Sequence, residues 1–222
     1  MSRLKTTSFA VLGLIANAPT STYELARRMR LSNLRAFWSR AESQIYNEPK
    51  QLEAAGLTDG KVEYVGERKR TVYRATRAGR TALRKWLAEP SSRFQYRSEA
   101  AVKVSFANYG TIEALRSTLR AAQLEAEDDA REMLAVAKSR KESNSPVPAR
   151  EHANAVADAL ILEVIEARIR WARMALALTA GWTSCRIDDS SKAQANTLWE
   201  TFETRLEELL ADALPTEAPE EQ

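Results

Sequence analysis

The 222-residue chain holds one cysteine, Cys185, and one histidine, His152. A lone thiol excludes an intramolecular disulfide framework and a multi-cysteine zinc site, and it suits a reducing cytosol. A single imidazole leaves little from which to build a metal cluster or a catalytic constellation. Catalysis is therefore not expected, and no cofactor or metal is implied. Seven glycines and seven prolines are few for this length, and no glycine loop of the phosphate-cradling kind is present. The apolar run from Phe9 to Ala16 is too short to span a bilayer and is followed by no convincing cleavage site, so it reads as a core helix and membrane association is not expected.

What the chain does contain is Ala, Leu, Glu and Arg in quantity, with 44% hydrophobic residues. That composition suits long helices around a sizeable core, and a mainly α fold is expected. Charge is divided unevenly. Residues 1–90 carry 17 Lys+Arg against 8 Asp+Glu, a balance of +9, while the remainder carries −6. A small domain of that charge attracts polyanions and gains affinity by releasing their counterions, whereas the acidic remainder repels them. The expected organisation is a basic domain over 1–90, a helical region over 91–214 and a frayed acidic tail over 215–222.

The spacing of apolar residues predicts a first helix from Thr6 to Asn17, with Phe9, Leu12, Ile15 and Ala16 on one face, stopping before Pro19. Ser21-Thr22-Tyr23-Glu24 has the form of a capping box and opens a second helix, Thr22 to about Met29. Ser39-Arg40-Ala41-Glu42 repeats the pattern, and a third helix follows, carrying Ile45, Leu52 and Ala55 inward and ending at Gly56. Pro49 lies inside it, where a proline removes one backbone bond and crowds the Ile45 carbonyl, so the helix is expected to kink or restart there. Leu57–Val65 and Arg70–Thr76 read as two strands joined by Gly66–Lys69, and Arg77–Ala88 as an amphipathic helix with Ala78, Leu83, Trp86 and Leu87 on or near one face.

Three helices and a basic hairpin in that order form a winged helix-turn-helix, whose third helix enters the DNA major groove. Its exposed residues are expected to be Ser39, Arg40, Ser43, Gln44, Asn47 and Lys50, with Gln44 and Asn47 suited to base edges and Arg40 and Lys50 to phosphates. Arg68, Lys69 and Arg70 are expected at the hairpin tip. A charge run is usually a solvated loop, but this one follows a helix-turn-helix pattern in a basic domain, which favours DNA.

These segments resemble the PadR family, through Phe9–Ile15, Thr22–Leu25, Ser43–Tyr46, Lys50–Leu57 and Tyr73–Gly79. The length and helical character of residues 97–214 are similar to the longer-armed branch of that family. The resemblance implies a dimeric regulator, most often a repressor, that binds an inverted repeat with its third helix in the major groove and the wing alongside. Tyr23 and Tyr46 match aromatic positions of the family domain, where they either contact phosphate or pack.

Beyond a linker at Pro90–Arg97, breaks at Asn144–Pro148 and Gly181–Ser191 separate three helical segments. Ile112, Leu115, Leu119, Ala122, Ala126 and Met133 form a packing seam on the first. Val156, Leu160, Val164, Ala167, Trp171, Met174 and Leu178 form one on the second. The third, from about Gln194 to Leu214, places Leu198, Phe202, Leu206, Leu209 and Ala213 on one side. Leu160, Val164, Trp171, Met174, Leu178, Phe202 and Leu206 are the expected homodimer contacts. Trp171, Trp182 and Trp199 could line a pocket for a small aromatic effector, although aromatic residues at helical spacing are more often core or interface anchors. Two rival readings are a helical adaptor for an acidic protein partner and a nonspecific nucleoid-associated protein.

Overall fold

The computed structural model describes residues 4–31, 34, 42–142 and 150–212. Its contacts divide the chain into two units, Met1–Gln95 with Ser145–Leu162, and Tyr96–Asn144 with Glu163–Gln222. Among the described residues no helix is long and apolar enough to cross a membrane. The fold is mostly helical, with a small antiparallel sheet in the first unit.

Helix α1 spans Thr6–Asn17 and ends where Pro19 forces Ala18 into an extended conformation. Its buried face is Val11, Leu12, Leu14 and Ile15 with Thr7 and Ser8; Phe9 and Ala16 lie at its margin, half-buried. Phe9 stacks instead on Trp86, ring centroids 4.9 Å apart.

A two-residue strand, β1 (Thr20–Ser21), follows. It carries no periodic signal and was not expected. Helix α2 runs Thr22–Leu31. The Ser21 hydroxyl accepts from the Glu24 amide at 3.3 Å, which is half of the expected capping box. The reciprocal half is missing, because Ser21 is paired with Val72 in the sheet and the Glu24 carboxylate turns to Arg27 and Arg28, each at 3.3 Å.

Helix α3, Glu42–Ala54, passes through Pro49 without a restart. Ile45, Glu48, Pro49 and Leu52 recur at helical spacing and are all buried. The proline thus lies on the inward face, where core packing offsets the lost backbone bond. The helix closes as anticipated at Gly56, whose φ of +71° is open to glycine at little steric cost. Gly56 N–H donates to Glu53 O and Leu57 N–H to Leu52 O, both at 2.8 Å, the paired bonds of a Schellman motif.

Strands β2 (Thr58–Val65) and β3 (Arg68–Ala75) pair in register from Thr58↔Ala75 to Val65↔Arg68. The connection is only Gly66-Glu67, a two-residue turn made possible by a φ of +60° at Gly66. With β1 the sheet order is β1-β3-β2.

Helix α4, Arg77–Ala88, is capped by the Thr76 hydroxyl, which accepts from Gly79 N–H at 3.0 Å and donates to Gly56 O at 2.8 Å. Its inward residues are Gly79, Leu83 and Trp86; Ala78 and Leu87 are exposed, contrary to the sequence reading. The unit's core gathers Val11, Leu12, Ile15, Leu25, Ile45 and Leu52 among others.

In the second unit α5 (Glu99–Ser105) lies beyond the expected linker, followed by a 3₁₀ turn at Ala107–Tyr109. Helix α6 spans Ile112–Lys141, α7 Glu151–Leu178, of which residues up to Leu162 belong to the first unit, and α8 Asp189–Ala211. The start of α8 is five residues earlier than the spacing suggested. Asp188 supplies a capping box, accepting from Ser191 N–H at 2.7 Å and donating its own N–H to Ser191 Oγ at 2.9 Å. Ile112, Leu115, Leu119 and Ala126 of the expected α6 seam are buried.

The α7 seam differs from expectation. Ile165 and Ala172 are the buried apolar residues, while Val156, Leu160 and Met174 are exposed and Val164, Trp171 and Leu178 half-buried. Helix α7 is apolar on more than one side, so spacing alone could not tell which stripe faces its own chain. Arg168 pairs with Glu125 at 3.2 Å and with Asp129, and Arg173 with Glu127 at 3.3 Å. Arg116 Nη2 donates to the carbonyls of Thr179, Ala180 and Trp182 at 2.7, 2.9 and 2.9 Å, bracing the turn that follows α7.

Candidate nucleic-acid interface

Helix α3 has two faces with different tasks. Its inward residues lock it to α1 and α2, which leaves Tyr46, Asn47 and Lys50 exposed on the far side. Asn47 offers a paired donor and acceptor, and Lys50 an unpaired ammonium, since no carboxylate meets it among the described residues. For Ser43 and Gln44 only the helix positions are described, and Ser43, Asn47 and Lys50 fall at i, i+4 and i+7, one face. Ser39 and Arg40 lie outside the described residues, as does the expected tail at 215–222.

Tyr23, in the first turn of α2, is 67% exposed and Tyr46 39%. Neither ring belongs to the unit's core cluster, and both are exposed.

The hairpin corrects the expected tip. Arg68, Lys69 and Arg70 belong to β3, opposite Val65, Tyr64 and Glu63. Strand alternation therefore separates them: Lys69 shares a face with Tyr64, and Arg70 lies on the other. Arg70 is also partly neutralised, pairing with Glu63 at 3.2 Å. The shorter turn is the reason, because Gly66 can adopt a left-handed conformation and the ladder then extends two residues farther. Tyr64, 69% exposed, and Val62, 50% exposed, were not anticipated. Their signal was available in the period-2 alternation of β2, read outward rather than inward.

Residues 11–85 match the transcriptional regulator PadR-like family. The match covers about a third of the chain, within the winged helix-turn-helix. Its structure is similar to that of Bacillus subtilis PadR in complex with operator DNA, with a TM-score of 0.69 at 20% identity over 79% of this chain and 99% of that one. The same B. subtilis protein in complex with p-coumaric acid gives 0.64 at 19%, over 79% and 99%. A PadR-like transcriptional regulator from Bacillus cereus gives 0.63 at 19%, over 79% and 98%. At these identities the likeness is one of fold. No curated protein matches the chain in sequence. The PadR-like family is one of transcription regulators and not a class of enzymes.

The expected effector residues divide. Trp171 and Trp182 pack together with Cys185 against Ile112, Leu115 and Leu119, and Trp182 Nε1 donates to Gln194 Oε1 at 2.8 Å. Trp199 is 68% exposed on α8, in edge contact with Phe202 at 5.5 Å, and is no part of that cluster. Phe202 and Leu206 are exposed on α8, and Leu160 and Met174 on α7.

Proposed function

We propose that this PadR-like regulator is a homodimer that binds an inverted-repeat operator and represses transcription by occupying a promoter. The observation that carries the proposal is the division of α3: one face is held in the core, and the other presents Tyr46, Asn47 and Lys50 to solvent. In this reading Ser43, Gln44 and Asn47 read base edges, and Ser39, Arg40 and Lys50 meet phosphates with Tyr23 and Tyr46 beside them. Arg68, Lys69 and Arg70 carry the wing contact, with the Arg70 charge shared with Glu63.

The exposed apolar residues of α7 and α8 support a dimer, since Leu160, Met174, Phe202 and Leu206 leave much of their surface in solvent among the described residues. Val164, Trp171 and Leu178, half-buried, border the same surface in this reading. A small aromatic effector acts on the helical arm through Trp171 and Trp182, with Trp199 at a second position; the p-coumaric acid complex of B. subtilis PadR supports the ligand class. The acidic balance of residues 91–222 argues against DNA contact from the arm.

The test is a titration of the full chain against its own upstream promoter and a scrambled duplex at about 150 mM salt, where weak nonspecific contacts are largely screened. A preference of roughly a hundredfold supports the proposal. Asn47→Ala is expected to reduce that preference by about 1–3 kcal/mol, and Lys50→Ala to weaken both duplexes alike. Equal affinity for every sequence refutes it in favour of nonspecific binding, and salt-insensitive binding to an acidic protein without DNA binding favours an adaptor.

A further inference from the structure

Among the described residues, cations of the first unit such as Arg27, Arg28 and Arg70 are paired, but those of one helix are not. In the second unit Arg131, Arg168, Arg170, Arg173 and Arg205 each meet a carboxylate. On α4 of the PadR-like domain, Arg77, Arg80, Arg84 and Lys85 meet none among the described residues, and all four are exposed. Arg77, Arg80 and Arg84 recur at i, i+3 and i+7, so they form one stripe about 10 Å long. With Ala16 and Leu83 they line an open cleft of about 490 Å³ at the C-terminal end of α1.

Two of the three have modest local duties. Arg80 Nη1 donates to Ala16 O at 3.0 Å, closing the end of α1, and Arg84 Nη2 donates to Thr81 Oγ1 at 3.3 Å. Neither duty requires three cations in a row. Like charges at helical spacing repel, and nothing acidic offsets them here. The charge is strung along the helix rather than converging on one point, and its length matches about three base-pair rises of a duplex strand. Helix α4 packs on α1, which also packs on α3, so the stripe belongs to the same packed unit as the helix expected in the groove.

We infer that the α4 stripe is a second DNA contact, gripping the sugar-phosphate backbone beyond the stretch reached by α3 and the hairpin. Arg77 and Arg84 carry the contact, because Arg80 is partly committed to α1. The inference rests on the DNA-binding reading above. It adds affinity and salt dependence without sequence preference.

The experiment compares the full chain with Arg77→Ala/Arg84→Ala, and with Arg77→Gln/Arg84→Gln to keep side-chain bulk, against a long mixed-sequence duplex. Salt is raised from about 50 to 200 mM, and Lys50→Ala serves as comparator. Thermal melts verify that the variants fold. Loss of two phosphate contacts is expected to lower the slope of log affinity on log salt by about 1.8, so that the wild type loses about twelvefold more affinity than the double variant over that range. An unchanged slope in both double variants while Lys50→Ala lowers it overturns the inference and leaves the DNA reading standing. No binding by the wild type overturns both. Thermal stabilisation of the wild type by pyrophosphate, lost in the double variants with an unchanged DNA slope, also overturns it and assigns the cleft to a small polyanion.

Discussion

Gly79 sits in the first turn of α4, where alanine would ordinarily be the better helix former by up to about 1 kcal/mol. The structure reverses that sign. A Cβ at Gly79 would lie 2.1 Å from the Leu57 carbonyl oxygen and 3.3 Å from Leu12 Cδ1. An ordinary carbon–oxygen approach is about 3.3 Å, so α4 and the Leu57 backbone would have to separate by roughly 1.2 Å. Both sides are backbone held by bonds, since Thr76 N–H donates to the same Leu57 oxygen at 3.1 Å and Thr76 Oγ1 to Gly56 O at 2.8 Å. Overpacking of this kind costs about 1–3 kcal/mol, and a lost backbone hydrogen bond about 1 kcal/mol more. Against the propensity gain, Gly79→Ala is expected to destabilise the domain by about 2 kcal/mol. The assay is thermal unfolding of the full chain followed by circular dichroism at about 222 nm, where a helical signal is strong, and a fall of at least about 4 °C is expected. Exposed Ala78, one residue away, is the control: Ala78→Gly should cost only about 0.5–1 kcal/mol from propensity. A Gly79→Ala protein as stable as the wild type would refute the close approach of α4 to Leu57.

Arg116→Ala leaves three carbonyls of the turn after α7 without their shared cation, and a loss of about 2 kcal/mol is expected after allowing for solvent access; Arg116→Lys should recover part of it. Unchanged melting in both would show that water replaces the guanidinium. The Asp188 carboxyl is held below the usual aspartate range by hydrogen bonds from the backbone and side chain of Ser191. Its charged form is the one that folding favours, so its contribution is complete above the ordinary aspartate range and is lost as pH falls from that range through the lowered value. The stability gap between wild type and Asp188→Ala should therefore be present at about pH 7 and close below about pH 4. Phe202→Ser combined with Leu206→Ser on exposed α8 is expected to convert a dimer to a monomer in sedimentation with little change in helicity; an unaltered dimer would place the interface elsewhere.

Much of the first unit was readable because its signals are local. Thr6–Asn17 and Arg77–Ala88 have the bounds that capping, periodicity and proline predict, and Gly56 ends its helix by a motif that glycine makes nearly costless. The start of α8 was misread because Asp188 and Ser191 stood inside a polar run that resembled a loop, and only their mutual hydrogen bonds distinguish it. Strand β1 was invisible for a related reason. Two residues carry no period, and Thr20 and Ser21 become a strand only because β3 presents an edge to them.

By itself the sequence determined the helical class, the basic and acidic halves and the order of elements in the PadR-like domain, all properties written in composition and short spacing. Tertiary structure decided which side of each helix faces inward, that Pro49 could be absorbed within α3, and that the hairpin cations would be divided between two faces. The physical reason is that burial and register depend on partners distant in the chain. An apolar stripe such as Ile165 and Ala172, or Leu160 and Met174, looks alike along the sequence until the folded chain buries one and leaves the other exposed.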